Sequence, residues 1–143
     1  RQMCIRDRHV TMVECDEDTV EILQQNVRDV EGETMSTVLE ATINGSPLQL
    51  DSTIDMVIMN PPWGVQTPRA DRVFFETIFA MEIPLVHFIH SIDAEHLLPL
   101  AKANGYELHS IYQDDFRLPA AYAHHSKNKA STRIRCYRLE KKK

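Results

Sequence analysis

Asn60, Pro61, Pro62 and Trp63 stand in a row, and their types suit one kind of chemistry. Two successive prolines fix the backbone and remove two donors, which holds the Asn60 amide and the Pro61 carbonyl in one orientation. Those groups accept hydrogen bonds from a planar amine. Trp63 offers a flat face for a nucleobase, a kind of stacking worth roughly 1–3 kcal/mol on comparable platforms. The exocyclic amine of an adenine is a poor nucleophile because its lone pair is delocalised into the ring. Two acceptors on its N–H groups favour a tetrahedral nitrogen, localise the lone pair and stabilise the charge that develops as a methyl group arrives. The charged product loses its proton afterwards, so no general base has to act first. A turn with a buried tryptophan is the plain alternative, since Asn before Pro is common in turns.

What precedes the tetrapeptide favours the chemical reading. Ile54 to Met59 is a nearly continuous apolar run, the pattern of a strand covered on both faces in a parallel sheet. In open α/β sheets ligands bind outside the carboxyl ends of strands, where this tetrapeptide falls. Upstream, His9 to Glu14 reads as a strand, followed by a helix to about Val30 with Val20, Leu23 and Val27 at spacings of three and four and Ile22 beside them. Asp16 or Asp18 is placed to cap it. Thr37 to Ile43 is a second strand. Downstream come a helix from about Ala70 to Met81, with Val73, Phe74, Ile78 and Met81 on one side, and a strand at Leu85 to His90. A helix at Ala94 to Asn104 and a strand at Tyr106 to Gln113 follow. A polar loop, Asp114 to Ala130, then leads to a last alternating strand, Ser131 to Leu139. Strands alternating with helices predict an α/β fold with a mostly parallel sheet. The last two strands, joined without a helix, predict an antiparallel carboxyl-terminal hairpin at one edge.

The chain has 143 residues, 43% hydrophobic and 26% charged, which suits one globular domain. No apolar run approaches the roughly 18 residues of a membrane span, and the first residues do not form a signal peptide, so a cytoplasmic protein is expected. Cys4, Cys15 and Cys136 lack metal or redox spacing and are expected to be reduced thiols, with no metal site. The net charge of −5 is uneven, because nine of the sixteen Lys and Arg but only one acid fall after residue 115. A basic tail on an acidic body is able to bind a polyanion, since phosphate contacts depend on local clusters. A solvated charged terminus is the alternative.

Asp55 to Gly64, DMVIMNPPWG, resembles motif IV of the S-adenosylmethionine-dependent amino-methyltransferases: Asn or Asp, Pro, Pro, then an aromatic. That motif is common to adenine-N6, guanine-N2 and protein-glutamine enzymes. Ala70-Asp71-Arg72 with Phe74 and Phe75, His87-Phe88-Ile89-His90-Ser91, and Leu118-Pro119-Ala120-Ala121-Tyr122 with His125 and Lys127 are similar to stretches of the methyltransferase-like protein 5 family. These are the small-subunit rRNA adenine-N6 methyltransferases, and the likeness spans roughly residues 10 to 140. The resemblance implies a Rossmann-like class I methyltransferase fold and S-adenosylmethionine as cofactor. It also implies catalytic Asn60, Pro61, Pro62 and Trp63, with Trp in place of the more usual Phe. Glu14 matches the acid that bonds the ribose hydroxyls, a role a carboxylate suits because it accepts from both, and Asp16 is an equally plausible ligand by sequence. The resemblance implies that Asn60 faces the cofactor as well as the base. His125, Lys127 and Lys129 match a basic loop that would contact RNA phosphates. Arg133, Arg135 and Arg138 are read either as part of that basic surface or as an edge strand's guard against aggregation. A small zinc-binding activator subunit is the implied partner, with Thr37 to Ile43 as its expected contact.

The sequence departs from the family at its start. All four glycines, at 32, 45, 64 and 105, lie outside any Gly-x-Gly turn, so the family's first strand and glycine-rich motif have no counterpart. Residues 1–8, RQMCIRDR, resemble the translation of sequencing-adapter read-through. The expectation is therefore a spurious segment at 1–8 joined to a partial methyltransferase domain at 9–143. A guanine-N2 or protein-glutamine methyltransferase, or a non-catalytic RNA-binding module, is the alternative to an adenine-N6 enzyme.

Overall fold

The computed structural model describes residues 9–30, 35–50, 53–63, 68–117 and 131–142. The chain forms two compact units, residues 1–44 and 45–143. Residues 1–8 and the Leu118–Tyr122 signature, with His125, Lys127 and Lys129, lie outside the described residues.

The first unit is a β-α-β element. Strand β1 (Val10–Glu14) pairs in parallel with β2 (Ser36–Glu40), and helix α1 (Glu17–Asp29) connects them. Asp16 is the N-cap, its Oδ1 accepting from the Thr19 amide at 2.8 Å, and Glu17 and Asp18 place acids in the first turn where the helix dipole favours them. Val20 and Val27 are buried, so the apolar stripe read from the sequence is the packed one. Strand β2 stops at Glu40, three residues short of the predicted Ile43.

The second unit carries a four-stranded sheet in the order β3 (Val57–Met59), β4 (Leu85–Ser91), β6 (Ser131–Lys141), β5 (Tyr106–Arg117). β3 and β4 are parallel, whereas β6 runs antiparallel to both β4 and β5. The predicted hairpin is therefore present, but its second strand lies inside the sheet. The arginines of β6 consequently do not guard an edge, and each side of the strand has a ladder partner. β5 is the edge strand and runs four residues past the predicted Gln113, with a register shift between Ser110 and Tyr112 that fits a β-bulge.

Alternation on β4 decides the core. Val86, Phe88 and His90 face inward, and Leu85, His87, Ile89 and Ser91 are half-buried. Phe88 packs between Phe75, edge-on at 5.0 Å, and Tyr137, stacked at 5.1 Å. Helix α2 (Arg72–Ala80) buries Phe75 and Ile78. The predicted face placed Val73 and Phe74 inward, but both are half-buried. Packing against Phe88 selects Phe75, Ile78 and Phe79, an i, i+3, i+4 set, as the face turned to the core. Helix α3 (Leu97–Ala103) adds Leu97 and Ala101, and the buried Tyr106 hydroxyl donates to the Ile83 carbonyl at 2.9 Å.

One expectation is met in the sheet pairing and one needs correction. The strands are hydrogen-bonded as two sheets, and among the described residues no strand pairs with the free edge of β1 or of β3, which agrees with the expected lack of the family's first strand. The run Ile54 to Met59 supplies a strand of only three residues, and Ile58 is 76% exposed, so β3 is not covered on both faces. Continuous apolar sequence signals two covered faces only when a layer exists on each.

Candidate active site

Because β3 and β4 are parallel, their carboxyl ends lie on one rim of the sheet. Asn60 to Trp63 leaves β3 at that rim, and His90 sits near the end of β4. Asn60 and Pro62 are exposed, Pro61 is buried and Trp63 is half-buried, so the diproline corner is anchored by its first ring. The Trp63 indole Nε1 donates to Asn60 Oδ1 at 3.3 Å. An amide oxygen has two lone pairs, so this long bond leaves Asn60 one acceptor position and its amide donors.

Behind the indole lies a cluster the sequence reading did not anticipate. Trp63 stacks on His90, with centroids 6.0 Å apart and planes inclined by 27°. His90 Nε2 lies 3.2 Å and His96 Nε2 2.6 Å from the same oxygen, Oδ2 of Asp71. Asp71 precedes α2, His96 precedes α3, and both Asp71 (3% exposed) and His90 (1%) are buried. Burial lowers the pKa of His90, opposed by the charge and hydrogen bond of Asp71, while His96 beside it lowers it further. The three residues lie 19 and 25 positions apart, a spacing that matches no motif. The one signal was the period-2 pattern of LVHFIHS, which puts His90 on the face of Val86 and Phe88.

The two acids proposed for the cofactor belong to the first unit. Glu14 Oε1, at the carboxyl end of β1, accepts from the backbone amides of Cys15 at 2.7 Å and Asp16 at 3.1 Å. These bonds, to Asp16 first and then Cys15, hold its carboxyl below the usual carboxylate range. Asp16 commits Oδ1 to the helix cap, which lowers its pKa too. Of the alternatives left open by the sequence, Asp16 thus has a defined structural task.

Elsewhere, Arg133 lies 3.5 Å from Asp93, Arg135 donates to Gln113 and lies over the Tyr137 ring, and Arg138 pairs with Glu140. Cys15 and Cys136 are free thiols. Among the described residues, no helix is long and apolar enough to cross a membrane. A groove lined by Arg72, Glu76, Phe79, Ala80, Leu100 and Asn104 lies between α2 and α3, away from the diproline corner.

No family model matches the chain. A protein of Pyrococcus horikoshii described as a candidate RNA methyltransferase superposes with a TM-score of 0.77 and 26% identity, over 95% of this chain and 65% of its own. The N-terminal domain of human METTL16, in complex with SAH, superposes with a TM-score of 0.61 at 11% identity, over 92% of this chain and 52% of its own. The chain has the class I methyltransferase fold. In sequence, an uncharacterized protein of Methanocaldococcus jannaschii is 32% identical over 124 residues, or 85% of the chain. The chain spans about half, 52%, of the length of that curated relative. On a methyltransferase fold, Asn60 to Trp63 occupies the sheet rim at which Rossmann-like α/β folds bind their ligands.

Proposed function

We propose that this chain is part of an S-adenosylmethionine-dependent RNA methyltransferase acting on the N6 amine of an adenine, with small-subunit rRNA as the substrate. The observation that carries the proposal is the diproline corner on this fold: Asn60 exposed at the carboxyl end of β3, its oxygen beside an indole that is itself backed by His90. Asn60 Oδ1 and the Pro61 carbonyl accept from the target amine, and Trp63 stacks on the base. Exposure of Asn60 and partial exposure of Trp63 leave both within reach of a flipped-out nucleotide.

S-adenosylmethionine would supply the methyl group. Glu14 suits its ribose, since the two backbone amides on Oε1 keep the carboxylate ionised and Oε2 is able to accept. For the methionine end the sequence offers no Gly-x-Gly turn. His125, Lys127 and Lys129 would supply phosphate contacts.

Transfer of tritiated methyl from S-adenosylmethionine to ribosomal RNA by a protein that carries this chain together with a glycine-rich cofactor motif, run beside release factor as acceptor, tests the assignment. Incorporation into N6 of adenine is expected, and Asn60→Ala should reduce it by about 10²–10³-fold with RNA binding retained. Methylated guanine or glutamine would reassign the substrate. Unchanged transfer by Asn60→Ala would overturn the mechanism.

A further inference from the structure

The inward face of β4 carries Val86 and Phe88 into the apolar core and then, two residues on, His90. A buried imidazole needs a partner for its N–H. Asp71 supplies it, and the same carboxylate oxygen also meets His96. With Asp71 Oδ2 as the common acceptor, both Nε2 atoms carry the hydrogens and Nδ1 of His90 is left as a lone pair, which agrees with its forming no regular hydrogen bond.

Two histidines and a carboxylate are also a familiar donor set for a metal ion, and their ligand atoms lie within 4.8 Å of one another. The distances favour hydrogen bonding. Donors about 2.0–2.2 Å from a tetrahedral ion stand about 3.3 Å apart, whereas Asp71 and His96 approach to 2.6 Å. A metal-bound His90 would moreover leave its Nδ1–H buried without an acceptor.

Resting on the proposed base platform, we infer that Asp71, His90 and His96 form a positioning triad for Trp63. Asp71 is the hub and ties the starts of α2 and α3 to the end of β4. His90 is the wall against which the indole lies, so the plane of Trp63, and through Nε1 the orientation of the Asn60 amide, is set from behind. His90 is therefore a positioning residue that touches no substrate. The charged or titratable groups around it are Asp71 before α2, His96 before α3 and, across the ladder on β6, Arg135.

Trp63 is the only tryptophan, so its emission reports this contact directly, and an imidazolium quenches a neighbouring indole more than an imidazole does. In the 143-residue chain without cofactor or RNA, Trp63 emission should fall on acidification with a midpoint below about 6.5. The change should vanish in His90→Phe and persist in His96→Gln. A flat wild-type titration, or the same titration in His90→Phe, overturns the triad. Saturable quenching by one equivalent of zinc chloride, lost in His96→Gln, overturns it in favour of a metal site. A second measurement uses a short adenine-rich RNA: its quenching of Trp63 should weaken about tenfold in His90→Ala and be restored by His90→Phe. Absence of RNA quenching in the wild type, with the pH titration intact, would remove the base platform and leave the triad standing.

Discussion

Trp63 is held on two sides, by its Nε1–H on Asn60 and by its face on His90. Such a ring keeps one orientation before a base arrives, so less freedom is lost on stacking. Trp63→Ala should therefore weaken binding of a single-stranded adenine-containing RNA by roughly 10- to 100-fold, the equivalent of about 1–3 kcal/mol, while Trp63→Phe keeps most of it. Equilibrium binding by fluorescence anisotropy decides the point, and equal affinity for all three proteins would show that the indole carries no base. The tetrapeptide was legible in sequence because its parts are consecutive. Asp71, His90 and His96 were not, because only the pairing of β4 with its neighbours and the approach of two helix starts bring them onto one oxygen. The period-2 pattern of LVHFIHS gives the side of β4 on which His90 lies but not its partners.

Among the elements, α1 and α2 are held by different forces and should fail differently. The Asp16 cap binds the Thr19 amide through its charged form, which places its folded pKa below the ordinary 3.8. Its contribution is complete above 3.8 and is lost as pH falls through the folded value. Asp16→Ala should lower the melting temperature at pH 7, and the gap from wild type should close well below 3.8. A gap independent of pH would show that the cap acts without its charge. Phe75 on α2 is buried and packs edge-on against Phe88; Phe75→Ala should cost about 3–5 kcal/mol in denaturant unfolding at any pH. Element types were legible throughout, because periods of 3.6 and 2 are local. Faces and lengths were read less well. Which of Val73, Phe74 and Phe75 turns inward is decided by what α2 packs against, here Phe88, and Ile54 to Met59 yields only three paired residues because pairing requires a neighbour as well as propensity.

At the scale of the whole molecule, the outer edges of β1 and β3 have no ladder partner among the described residues, and Val10 and Ile58 are exposed on those strands. Open parallel edges bearing apolar side chains invite pairing with other chains, so the 143-residue chain should associate as its concentration rises. Cofactor affinity follows from the same inventory. Tight binding of S-adenosylmethionine needs its ribose, its adenine and its charged methionine end held together. Here Glu14 suits the ribose, and the four glycines offer no Gly-x-Gly cradle for the methionine end. Calorimetric titration of this chain should give a Kd of about 1 mM or weaker, no more than about 4 kcal/mol of binding free energy. A micromolar Kd would mean that other residues hold the methionine end. Chain association should in turn be suppressed by charging the exposed strand positions, as in Ile58→Lys. If sedimentation shows Ile58→Lys and the wild type associating alike, the edge of β3 is not the contact.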